Sequence, residues 1–174
     1  MKRVLLRFAV FVLCAAFAAP ASAQIAFGRA VAVGDREAFV GEPGNQATPG
    51  YVYVYRPDSG AWSEAMILSA DDAVDADGFG SGVAVDGLRM VIGAENANAV
   101  YIFEHMAGRW TQVAKVEASD SGATDLFGAA VGLQGGRLIV GVPGASDARG
   151  AAYLFELRGN WQQVATFAGA AGET

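Results

Sequence analysis

The sequence is poor in the groups that most often carry out chemistry. It has one cysteine, Cys14, and one histidine, His105. Without a second thiol no intrachain disulfide can form, so stability has to come from packing. The same scarcity excludes the usual zinc ligand sets and leaves His105 alone as a candidate catalytic base. Charged residues make up only 17% of the chain, with 18 acidic against 12 basic and a net charge of −6. That balance offers no basic footprint for nucleic acid or an anionic membrane. No Asn-x-Ser/Thr sequon is present.

Long apolar runs are missing too. Phe8 to Ala19, between Arg7 and Pro20, is well short of the ~20 residues that span a bilayer. With Lys2, Arg3 and Arg7 ahead of it and Ala21-Ser22-Ala23 behind, it reads as a secretory signal peptide over residues 1–23, cleaved after Ala23. Leu13 beside Cys14 is too bulky for a lipoprotein site. Cleavage would remove the cysteine and three basic residues, leaving nine basic against eighteen acidic. The expected location is secreted or periplasmic, with no stable membrane insertion.

Glycine is abundant, at 23 residues, and its placement is periodic. FGRAVAVGDREAFVGEP from Phe27, FGSGVAVDGLRMVIGAE from Phe79 and FGAAVGLQGGRLIVGVP from Phe127 are versions of one unit. Gly28 to Gly41, Gly80 to Gly93 and Gly128 to Gly141 are equally spaced. Tyr53, Tyr101 and Tyr153 recur at one position, with Tyr55, Phe103 and Phe155 two residues on. Trp62, Trp110 and Trp161 follow. Repetition at about fifty residues marks a propeller or similar array.

Each unit reads as four strands. In the first these are Arg29 to Val33, Arg36 to Val40, Gly50 to Tyr55 and Trp62 to Leu68. Two-residue turns at Gly34-Asp35, Asp86-Gly87 and Gly135-Gly136 join the first two strands of each unit. The strands are apolar on both faces, as expected of blades sandwiched between blades.

These residues carry a resemblance. Phe-Gly, then Val-Gly or Ile-Gly, then paired aromatics and Trp resembles the FG-GAP repeat of integrin α-subunit heads and many bacterial exported proteins. The resemblance implies one β-propeller blade per repeat and a role in extracellular recognition. It does not extend to the family's calcium loop, because a two-residue turn cannot supply six to eight oxygens.

The remaining candidates are few. His105 reads as a solvated turn residue. Asp71, Asp72, Asp75 and Asp77, with Asp120 and Asp125 at the corresponding place in the next unit, are either a solvated inter-repeat loop or a partial cation site. The tryptophans are either blade packing or a carbohydrate platform. Buried tryptophans favour the first and exposed ones the second.

The expectation is an all-β, propeller-like array of about three four-stranded antiparallel blades, an incomplete propeller. Its repeats run over about 27–78, 79–126 and 127–174 within a domain at 24–174. No catalytic, cofactor or metal residue is assigned. The expected function is non-catalytic binding or scaffolding of an extracellular or envelope protein through blade loops. The alternative is a lectin-like module binding a glycan. By the Trp-to-Phe spacing a fourth Phe-Gly would fall at position 178, past Thr174. Three blades do not make a ring of four to eight. The array is therefore expected to belong to a longer one or to self-associate, two threes making six.

Overall fold

A computed structural model describes residues 26–44, 47–118, 122 and 124–170. The expected leader at 1–23 and Asp120 lie outside the described residues. Blade 1 comprises β1 (Ala30–Val33), β2 (Ala38–Glu42), β3 (Tyr51–Asp58) and β4 (Ala61–Leu68). Blade 2 comprises β5 (Phe79–Asp86), β6 (Arg89–Ala94), β7 (Ala99–Met106) and β8 (Arg109–Val116). Blade 3 comprises β9 (Ala130–Gln134), β10 (Arg137–Val142), β11 (Ala151–Arg158) and β12 (Asn160–Ala168), with a single helical turn, α1 (Ala145–Ala148), between β10 and β11. Each blade is an antiparallel meander in sequence order. No described helix is long and apolar enough to cross a membrane. The fold is all-β, three blades of an incomplete propeller.

The turns hold the largest local departures from expectation. Gly34-Asp35 is not a two-residue turn. The register closes at Val33 opposite Ala38, and the Gly34 N–H bonds to the Glu37 carbonyl at 2.8 Å. In blade 2 the turn is Gly87-Leu88, since Asp86 pairs with Arg89. The β3–β4 and β7–β8 hairpins turn on Ser59-Gly60 and Ala107-Gly108, all four at positive φ, as tight hairpins require. One irregularity recurs in all three blades. The ladder of the last two strands slips just before the second aromatic, at Val54/Tyr55, Ile102/Phe103 and Leu154/Phe155, a bulge that adds twist at a fixed place.

The blades stack face to face. Strand β5 packs on β1 and β2 of blade 1, and β9 packs on β5 and β6 of blade 2. Alternation along each strand decides what goes where. In blade 2, Met90, Ile92, Tyr101 and Phe103 join Phe39, Val52 and Val54 in one core. The intervening Val91, Val100 and Ile102 join Leu138, Val140 and Phe155 in the second. Only blade 2 is therefore sandwiched. Blades 1 and 3 each bury one face and leave the other open, as the end blades of a three-blade array do.

The Phe-Gly pair is the joint between blades. Phe79 and Phe127 are fully buried, each against the two aromatics of its own blade: Tyr101 and Phe103 for Phe79, Tyr153 and Phe155 for Phe127. The glycine after each has φ near +95°, at +92° for Gly80 and +98° for Gly128, a conformation other residues reach only with strain. A Cβ on Gly41 would run into the Gly80 carbonyl, and one on Gly93 into that of Gly128. Glycine is thus required on both sides of each joint.

Candidate functional site: the cleft between the first two blades

At the turn end of the joint between blades 1 and 2 the strands diverge and leave a cleft of about 500 Å³. Three tips converge on it: residues 34–37 from the β1–β2 connection, Gly87 and Leu88 from β5–β6, and His105 and Gly108 from β7–β8. Phe39, Val85, Leu88 and Trp110 supply apolar wall, and Glu37, Arg56 and His105 supply polar groups.

Glu37 organises the polar side. Its Oε1 accepts from Arg56 Nε at 2.6 Å, and its Oε2 accepts from the Trp110 indole N–H at 2.9 Å. Arg56 also reaches the Gly108 carbonyl at 3.3 Å. One carboxylate on β2's approach therefore holds a guanidinium of its own blade and an indole of the next. Trp110 is further fixed edge-on to Phe39, with ring centres 5.6 Å apart. The His105 ring also packs on it, with ring centres 5.1 Å apart. His105 is thus a half-buried strand residue packed on Trp110, not the solvated turn residue expected.

With both oxygens of Glu37 engaged, the cleft presents no free carboxylate from that residue, and its lining includes no serine, threonine or cysteine. The arrangement is a preset surface with apolar area and a few oriented polar groups, the usual make-up of a recognition site.

The acidic candidates do not converge. Asp77 is buried, and its Oδ1 accepts the backbone N–H of Gly50 and of Phe79, each at 2.9 Å. It fastens the Phe-Gly turn to blade 1. Asp72 accepts from Lys115 Nζ at 2.9 Å and from the Tyr101 hydroxyl at 2.8 Å. The Lys115 hydrogen bond, then that of Tyr101, holds its carboxyl below the usual range. Burial, with Asp72 as acceptor, pushes the Tyr101 hydroxyl up to about 12. Asp71 and Asp75 face solvent. At the corresponding place in the second unit, Asp125 accepts the Gly122 N–H. Asp77 Oδ2 is buried without a hydrogen-bond partner. Among the described residues, however, no group of three or more Asp, Glu, His or Cys is placed to hold a cation.

The tryptophans separate cleanly. Trp110 is buried at the cleft, Trp161 is half-buried beneath the Arg89 guanidinium at 5.8 Å, and Trp62 is 57% exposed. Sequence reasoning did not single out Glu37 or Arg56. Position 37 corresponds to Arg89 and Arg137 in the other units, so repetition gave no signal there.

Fold and joint together define a propeller-blade array. The FG-GAP repeat family matches residues 62–103 and 110–155, and the chain belongs to that family. Each match starts at a repeat tryptophan and ends at the second repeat aromatic, so it runs from the fourth strand of one blade into the next. No curated protein matches the chain. Among solved structures it is similar to the Myxococcus xanthus glutaminyl cyclase, at 13% identity and a TM-score of 0.53. The likeness covers 83% of this chain and 52% of the cyclase, so the chain spans about half that protein's length. At that identity the likeness is one of fold.

Proposed function

We propose that this is an exported, non-catalytic binding or scaffold protein that recognises an extracellular or envelope protein through its blade loops. The observation that carries the reading is the cleft between blades 1 and 2. Three loop tips meet there around an apolar floor, and Glu37, Arg56 and Trp110 are held in place before any partner arrives. Preset geometry of this kind reduces the ordering cost of association. Leu88, a large apolar side chain left 68% exposed at the rim, suits an anchor contact.

The glycan alternative called for exposed tryptophans. Trp110 and Trp161 are packed, and Trp62 sits where its counterparts meet a preceding blade, so the protein-binding reading is the better supported. The test is capture from the cell envelope fraction by the immobilised chain, beside a Leu88→Glu variant. The expected result is a protein retained by the wild type and lost by the variant. Equal retention by both would set the cleft aside.

A further inference from the structure

The two joints between blades are built alike, but the second leaves a space at a place that the first fills. The difference lies on the outer strands. Met66 of β4 stands opposite Val54 and packs against the first core. Its counterpart on β8, opposite Ile102, is Ala114, which has no thioether to carry across to the next blade. Ala114 lines a pocket of about 720 Å³ between β8 and blade 3. Ile102, Val116, Phe155 and Trp161 give that pocket apolar wall, and Gln163 lines it as well.

Gln163 carries a second, independent sign of a missing group. Its counterpart in blade 2 is Gln112, since each stands two residues after its repeat tryptophan. The Gln112 Oε1 accepts the Asp71 backbone N–H at 3.1 Å. The Gln163 Nε2 donates to Thr166 Oγ1 at 3.1 Å. Its Oε1 is buried and, among the described residues, has no hydrogen-bond partner. A buried acceptor left unpaired is costly, and a donor brought by a ligand would relieve that cost. The charged groups at the rim are already matched: Arg89 pairs with Glu104, and Lys115 with Asp72 and Glu117. The pocket is therefore complementary to an uncharged group.

We infer that the pocket between blades 2 and 3 is a second binding site, for an extended and locally uncharged peptide segment. An unbranched apolar side chain of the methionine kind enters beside Ala114, where its flexibility suits an irregular space. A backbone N–H of the same segment donates to Gln163 Oε1. The ligand's chemistry is read from the first joint, where a methionine side chain and a backbone N–H take the corresponding places. The pocket shares no lining residue with the cleft at Glu37, so the inference stands whether or not that cleft binds a partner.

The test is a titration of the isotopically labelled, purified chain with the capped tripeptide acetyl-Ala-Met-Ala-amide. Nuclear magnetic resonance follows the Trp161 indole N–H and the Gln163 side-chain amide. Both signals are expected to shift and to saturate. The same peptide with alanine in place of methionine should bind at least about tenfold more weakly, because the buried thioether chain is lost. Ala114→Met puts the side chain of the first joint into the second. It should melt no lower than the wild type and weaken binding of the methionine peptide at least about tenfold. Gln163→Met keeps the side-chain length and removes the acceptor. It should fold like the wild type and bind several-fold more weakly. No saturable shift, or shifts at the Glu37 cleft alone, would overturn the inference. A melting temperature clearly lowered by Ala114→Met would also overturn it, because the space would then not be open. Equal binding of the two peptides, or wild-type binding by either variant, would overturn it by placing the contact elsewhere.

Discussion

Asp77 of the inter-blade loop holds Phe79 in place: its Oδ1 accepts the Phe79 N–H at 2.9 Å and, at the same distance, the Gly50 N–H of blade 1. The carboxylate thereby ties the start of one blade to the one before it. Asp77→Ala leaves two buried N–H groups unpaired, at about 1–3 kcal/mol each. Asp77→Asn keeps an acceptor in place and should cost clearly less. Chemical denaturation of the two variants checks the order.

Phe79→Ala should destabilise the fold by about 3–5 kcal/mol, as truncation of a buried phenylalanine does. Phe27→Ala at the equivalent, half-exposed position should cost under about 1 kcal/mol, within the range of surface changes. Equal melting shifts for the two would mean that the Phe-Gly motif does not act through inter-blade packing.

The glycine pairs give a sharper contrast. Gly93→Ala drives a methyl into the Gly128 carbonyl, and overpacking of this kind costs about 1–3 kcal/mol or more. Gly141→Ala meets only the Ala130 methyl, at 3.3 Å, and should leave the melting temperature of the monomer nearly unchanged. Thermal melts of both variants at low protein concentration decide it.

Millimolar calcium and a chelator should give melting temperatures within a degree or two of each other, because Asp71, Asp72, Asp75 and Asp77 are separated rather than clustered. A large rise with calcium would mean that the ion binds the folded state and would return the acidic loop to consideration.

Asp72 predicts part of the acid response. Its folded carboxyl lies below the ordinary value of 3.8, so its contribution is present above that pH and is lost as pH falls through the folded value. Asp72→Asn should therefore show a flatter fall in melting temperature between neutral pH and pH about 3 than the wild type.

Much of this fold was legible in the sequence. Phe-Gly at Phe27, Phe79 and Phe127, the closing glycines and the paired aromatics repeat because each joint needs them, and repetition is visible without coordinates. What was not legible depends on neighbours rather than on the unit itself. Which blade has two covered faces is an exception that the count of three repeats already made legible, although the strands of all three blades are alike. Glu37 meets Trp110 across a joint, and its pairing with Arg56 recurs only with the charges exchanged, as Arg89 with Glu104 and Arg137 with Glu156, so no repeated residue type marked them. Asp77 looked like one of four loop acids, and only its burial separates it from Asp71 and Asp75.

The most direct test of the cleft as recognition surface is the dissociation constant of the partner captured from the envelope, measured against three chains. These are the wild type, Leu88→Glu at the cleft rim and Val74→Asp in the exposed inter-blade loop. Leu88→Glu should weaken binding at least about tenfold, an effect of about 1.4 kcal/mol, while Val74→Asp leaves it unchanged. Unchanged binding by Leu88→Glu, or an equal loss in Val74→Asp, would contradict the account.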